Sequence, residues 1–201
     1  MPITAAQVKE LREITGAGMM DCKRALEETG GDVEKAREWL RTKGLAAAAK
    51  RGGRAATEGL IDAYIHLNGR LGVLIEVNCE TDFVANTDEF RTLAHDLAKQ
   101  VAASGEVEWV SREEVPEEIV AQERKVYEAQ AREEGKPDQV IPRIVDGKLE
   151  AFYKERCLLD QPFLFAEDGA KTTGEVIAEI SARVGERIAV RRFAKFVRGE
   201  G

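Results

Sequence analysis

The sequence predicts an α+β fold: an N-terminal three-helix bundle followed by a small three-stranded antiparallel sheet covered by helices. Three observations carry this. Residues 3–43 hold three short amphipathic segments separated by glycines. Residues 59–78 hold two strand-like apolar runs around Asn68-Gly-Arg70, and a last apolar run over 188–197 supplies the third strand.

In the bundle, Thr4 with Gln7 makes a capping-box pattern, and Val8, Leu11 and Ile14 give the first helix its stripe. Gly16-Ala-Gly18 ends it. A second helix over 19–28 carries Cys22, Ala25 and Leu26 on one face. Gly30-Gly31 breaks it, Asp32 caps a third helix with an inner stripe of Val33, Ala36 and Leu40, and Gly44 stops that helix. The predicted organisation is therefore an N-terminal domain over 1–44, a linker over 45–57, and an α+β core domain over 58–201. Met20 lies at helical spacing from Lys23, Arg24 and Glu27, on the polar face. It is either an adaptable contact or tucked under the preceding loop; spacing leaves both open.

In the hairpin, Asn68-Gly69 signals a two-residue turn. That register pairs Ile61 with Glu76 and Ile65 with Gly72. A three-residue loop instead aligns Leu67 with Leu71, Ile65 with Val73, Ala63 with Ile75 and Ile61 with Val77. Since a one-residue slip exchanges the two faces of a strand, the apolar pattern favours the three-residue loop.

The stretch over 71–86 organises the chain. Val73, Ile75 and Val77 alternate with Leu74 and Glu76, then the sequence turns polar at Asn78 and Glu80, and Asp88 offers an N-cap for a helix beginning near Glu89. Thr81, Asp82, Phe83 and Val84 thus fall in a short strand-to-helix connection. A phenylalanine there either folds back onto its own core or is held out for a partner; burial is the default for an aromatic.

Further on, Phe90, Leu93, Ala94, Leu97 and Val101 define an amphipathic helix. The charged region near 112–136 carries Val120 and Tyr127, and either projects into solvent or pairs with another helix. Ile141, Ile144, Leu149, Phe152 and Tyr153 return to a core, residues 158–165 form an apolar loop broken by Pro162, and Val176, Ile177, Ile180 and Val184 mark a last helix.

The bulk numbers exclude several classes. The chain has 201 residues and a formal net charge of -7, so no global field attracts nucleic acid or anionic lipid. The first residues lack a secretory leader and no window reaches the roughly 20 apolar residues of a membrane helix. Cys22, Cys79 and Cys157 fit reduced thiols of a cytoplasmic protein. His66 and His95 make no metal-ligand spacing, and no nucleophile elbow is present. Lys50-Arg-Gly-Gly-Arg54 and Gly169-Ala-Lys-Thr172 lack the remaining features of a phosphate loop. No cofactor, metal or catalytic residue is expected.

The chain resembles a known family in several ordered stretches: Gly16-Ala-Gly-Met-Met-Asp-Cys-Lys-Arg-Ala-Leu26, Gly31-Asp32, Leu40-Arg-Thr-Lys-Gly44, Asn78-Cys-Glu-Thr-Asp-Phe-Val-Ala85 and Glu186-Arg-Ile-Ala-Val-Arg-Arg-Phe193. These are similar to bacterial elongation factor Ts, in a short form with a single core module. The resemblance implies a UBA-like N-terminal bundle and a guanine-nucleotide exchange factor for elongation factor Tu, working by binding in translation elongation. It implies that Thr81, Asp82, Phe83 and Val84 enter the GTPase beside its Mg²⁺ site. Phe83 would be the wedge and Asp82 the anchor, while Arg12, Met19, Met20 and Lys23 form a partner contact face. It therefore turns Phe83 outward. One sheet module in place of the tandem pair of longer members leaves a surface uncovered, and a two-fold homodimer through 188–197 or the sheet face is expected, without a disulfide there.

Two other classes compete. A helical-bundle interaction module would leave residues 81–84 without a role. A small enzyme using Asp82 or Glu80 as acid or base would need a pocket and a shifted pKa.

Overall fold

The structure, a computed structural model, describes residues 3–66, 68–166 and 171–199. Leu67 and the first half of Gly169-Ala-Lys-Thr172 therefore lie outside the described residues. The chain divides into two compact units: Met1–Leu60 with Val77–Arg91 and Glu175–Ala189, and Ile61–Glu76 with Thr92–Gly174 and Val190–Gly201.

In the first unit, α1 (Ala5–Thr15), α2 (Met19–Glu28) and α3 (Val33–Arg51) form the predicted bundle. Thr4 and Gln7 make the full capping box, and Gly16 closes α1 at φ 65°. A side chain at Gly16 would be strained at this φ, and its Cβ would stand 2.7 Å from Arg183 Nε, so the arginine side chain would have to shift. Val8, Leu11, Cys22, Ala25, Leu26 and Ala36 make the core, with Val33 and Leu40 against it. Ile14 is not part of it; it is exposed.

Helix α3 does not stop at Gly44. It runs on to Arg51, through half of the expected 45–57 linker. One helical glycine costs about 1 kcal/mol, and the four alanines that follow are the strongest helix formers, so local propensity carries the helix past it.

Strands β1 (Glu58–His66), β2 (Leu71–Cys79) and β3 (Ala189–Val197) form one sheet in the order β1-β2-β3. It is antiparallel, as predicted; Arg192 Nε meets Glu76 Oε2 at 2.7 Å across β2 and β3. The hairpin register, however, is the one that the apolar pattern rejected. Asn68 (φ 55°) and Gly69 (φ 82°) both take the left-handed region that a two-residue primed turn requires. Ile65 lies over Gly72 rather than beside Val73. The result is two apolar faces. Val73, Ile75, Val77 and Cys79 of β2 are buried, whereas Ile61, Ile65, Leu74 and Phe196 are exposed on the other side. The pattern argument failed because it assumed that every isoleucine belongs to the chain's own core.

In the second unit, Leu93, Ala94, Leu97 and Val101 of α5 (Asp88–Ala103) are buried as predicted. Its cap is Thr87, whose Oγ1 accepts from Phe90 N at 3.3 Å, and Asp88 is already the first helical residue. Helix α5 meets β1 where His95 Nδ1 lies 2.8 Å from Asp62 Oδ2. The charged region does pair: α6 (Glu117–Glu133) packs on α7 (Ile141–Arg156) through Ala131, Ile141, Val145 and Leu149. Arg112 fixes the base of this hairpin, with both terminal nitrogens 2.8 Å from the Glu150 carboxylate and Nε 2.7 Å from Asp160. The last helix is α8 (Thr173–Val184).

Candidate functional site

The segment after β2 is not a loop but one helical turn, α4 (Asp82–Ala85). Thr81 is its N-cap at φ −132° and ψ 155°, and its Oγ1 accepts from Val84 N at 3.4 Å. Helical geometry divides the turn's side chains. Val84 and Ala85 are buried, while Asp82 and Phe83 point away from them. Phe83 is 82% exposed, the highest of the exposed large apolar side chains among the described residues. The structure thus chooses the outward alternative.

The turn is braced from the connection between α8 and β3. Glu186 Oε2 accepts from Glu80 N at 3.2 Å and Thr81 N at 3.0 Å, and Glu186 Oε1 accepts from the Thr81 hydroxyl at 2.7 Å. Glu80 returns the contact. Its Oε1 accepts from Arg187 N at 2.6 Å and from Arg54 at 3.3 Å. Those bonds, the backbone one first, hold the Glu80 carboxyl below its ordinary range. Cys79, buried at the end of β2, donates its Sγ–H to Thr81 O at 3.1 Å. Burial and then the nearby Glu186 charge push that thiol up, so it is kept protonated.

The second group of predicted residues lies on the N-terminal bundle. Arg12 is exposed in the last turn of α1, and Met19 and Met20 open α2, 58% and 73% exposed. Lys23 follows one turn later, 3.7 Å from Glu27, a loose solvent-exposed pair. Met20 is therefore not tucked under the preceding loop. Ile14 joins these as an exposed apolar residue that the sequence reading had assigned to the core.

A third feature lies on the outer sheet face: a shallow depression of about 480 Å³ lined by Ile65, Gly72, Leu74 and Phe196. Sequence reasoning missed Glu186 as part of the site, because nothing local in 181–189 marks a carboxylate that reaches back across the chain. It named the sheet face as a dimer surface but assigned Ile61 and Ile65 to the core, although the Asn-Gly turn signal, if followed, places them on that outer face. Among the described residues, no group of His, Cys, Asp and Glu is placed to hold a metal ion, and no helix is long and apolar enough to cross a membrane.

The structure thus defines an α+β protein with an N-terminal three-helix bundle and an outward aromatic on a braced turn. Comparison with known proteins makes this specific. Residues 4–170 match the family model described as elongation factor TS. Over 199 residues, 99% of this chain, it is 60% identical to elongation factor Ts of Moorella thermoacetica, covering 97% of that protein. The corresponding identity is 59% for Syntrophomonas wolfei, covering 92%, and 58% for Carboxydothermus hydrogenoformans, covering 90%. The chain belongs to the elongation factor Ts family.

Proposed function

We propose that this chain is a guanine-nucleotide exchange factor for elongation factor Tu in translation elongation, and that it promotes GDP release by disturbing the Mg²⁺ and phosphate site of the GTPase. The observation that carries the mechanism is Phe83, 82% exposed on a turn whose backbone is fixed before any partner arrives. Thr81, Asp82, Phe83 and Val84 form the intruding element. Arg12, Met19, Met20 and Lys23 form a second contact. Membership of the family supports the partner, and the exposure of these side chains supports the assignment. The N-terminal three-helix segment, 1–44, acts as the recognition module in this reading.

The physical basis is linkage. A protein that binds the nucleotide-free GTPase better than the GDP form weakens GDP by the same factor that GDP weakens it. Mg²⁺ demands near-octahedral geometry and bridges protein to phosphate, so a small displacement of its ligands costs much of its contribution. Burying one Phe contributes about 1.5–3 kcal/mol, one to two decades in affinity. Phe83 alone cannot drive a large acceleration, and the bundle face shares the work. The protein needs no nucleotide site, cofactor or nucleic-acid contact of its own, and it works in the cytoplasm.

The same reading makes the chain a homodimer. Ile61, Ile65, Leu74 and Phe196 are exposed on the outer face of the sheet, and a second copy related by a two-fold axis would cover them.

Release of fluorescent GDP from elongation factor Tu in excess Mg²⁺ tests the reading. Wild type should accelerate release, and folded Phe83→Ala should lose most of the effect. Equal acceleration by both would retain the function and remove Phe83 from it. No acceleration by wild type would remove the exchange reading.

A further inference from the structure

The Glu186 carboxylate is spent on a segment 105 residues away in sequence. Its three acceptor contacts all fall on the entry to α4: the N–H groups of Glu80 and Thr81, and the Thr81 hydroxyl. Both N–H groups lie past the end of β2, and both precede the first residue of α4. Neither the sheet ladder nor the helix can satisfy them, which is the usual position of orphan donors at a helix start.

A helix of one turn does not hold itself together, because nucleation fixes several dihedrals for a single hydrogen bond. The turn needs outside support. Burial of Val84 and Ala85 supplies it at the far end. At the near end the support is Glu186, through hydrogen bonds to an ionised acceptor, which are about twice as strong as neutral ones. Glu186 is in turn fixed. Gly185, at φ 80°, turns the chain out of α8, Gly185 N donates to Ser181 O at 3.0 Å, and the Ser181 hydroxyl donates to Glu186 O. The neighbouring Arg187 N–H is held by Glu80, so the two segments brace each other in both directions.

We infer that Glu186 is the positioning residue for Phe83: its carboxylate orders the entry of the turn in the free protein, so that the aromatic is aimed before the partner binds. This rests on the exchange reading above. Glu186 touches no partner itself. It acts by removing a conformational cost that would otherwise fall on association, as preorganisation generally does.

The test is a double-mutant cycle on GDP release from elongation factor Tu. Glu186→Gln keeps the side-chain volume and leaves one oxygen for the two N–H donors that Oε2 serves, but it removes the charge and turns an amide NH₂ towards the Thr81 hydroxyl that donates to Oε1. It should slow exchange roughly ten- to hundredfold, the equilibrium cost of losing a hydrogen bond to a charged group. In a Phe83→Ala background the same substitution should change the rate by less than about twofold, because coupled residues are non-additive. Thr81→Val, which removes the hydroxyl's bond to Glu186 and its cap on the Val84 N–H but keeps both N–H bonds to Glu186, should show the same dependence on Phe83. Amide exchange of free wild type should show Glu80 and Thr81 protected, with protection lost in Glu186→Gln while the core amides keep theirs. An unchanged rate in Glu186→Gln, or the same loss with and without Phe83, overturns the inference and leaves the exchange reading standing. Absence of acceleration by wild type overturns both.

Discussion

Ile65 lies across from Gly72 on the outer face of the sheet, its Cδ1 3.1 Å from the point that a Cβ on Gly72 would occupy. The pair reports the register of the hairpin and, with it, which isoleucines meet water. Ile61 and Ile65 are exposed together with Leu74 and Phe196, and the sheet is apolar on both sides.

The first prediction concerns that face. Phe196 is 68% exposed, so Phe196→Asp costs the folded monomer little but places a charge where a second copy would dock. Light scattering on a sizing column should give twice the chain's 22.2 kDa for wild type and the single-chain mass for the variant. Equal masses would remove the sheet face as the interface.

Gly59 offers a sharper test of the fold. At φ 142° it occupies a region that L side chains rarely enter, and a Cβ would lie 2.1 Å from Val77 O. Gly59→Ala should destabilise by about 2–3 kcal/mol, lowering Tm by roughly 5–10 °C for a chain of this size. A shift within a degree or two would show that β1 and β2 pair differently here.

The continuity of α3 can be checked by a gain rather than a loss. Gly44 is helical, and a Cβ there would meet Ala182 Cβ at 3.5 Å, an ordinary contact. Gly44→Ala should therefore stabilise by roughly 0.5–1 kcal/mol, measured by denaturant unfolding. Were 45–57 a flexible linker, the substitution would do nothing.

The cysteines give a pH-dependent prediction. Cys22, Cys79 and Cys157 are free and buried. Burial, then the nearby Asp160 carboxylate, pushes the Cys157 thiol up to about 11 from an ordinary 9.0. A raised thiol pKa favours the folded state fully below the unfolded value, and that contribution is lost as pH rises from about 9 through 11. Native protein at pH 8 should react with a thiol reagent only at its unfolding rate, and fully in denaturant. Alkaline unfolding should be blunted in Cys157→Ala compared with wild type, each referred to its own stability at pH 7. A fast native reaction at Cys157 would show that the site is open.

Much of this molecule is local, and the local part was legible. The capping box at Thr4, the glycine ends of α1 and α2, and the apolar stripe of α5 follow from side chains within a turn or two of each other. Phe83 stood out because its type conflicts with its setting. Other features required weighing local against distant effects. Gly44 looked like a stop signal until set against the alanines that follow, and residues 81–84 read as a loop because a one-turn helix leaves no periodicity to detect.

The sequence by itself determined the α+β class, the bundle core, the strands and the family, since each rests on periodicity, caps or ordered motifs that a linear chain displays. The tertiary structure alone decided three things: that the Asn-Gly turn sets the register, that Ile61, Ile65, Leu74 and Phe196 share an exposed face, and that Glu186 holds Thr81. The reason is physical. Hydrophobicity says that a side chain prefers to leave water, not which surface will cover it, and a hydrogen bond spanning 105 residues leaves no trace in the spacing of its neighbours.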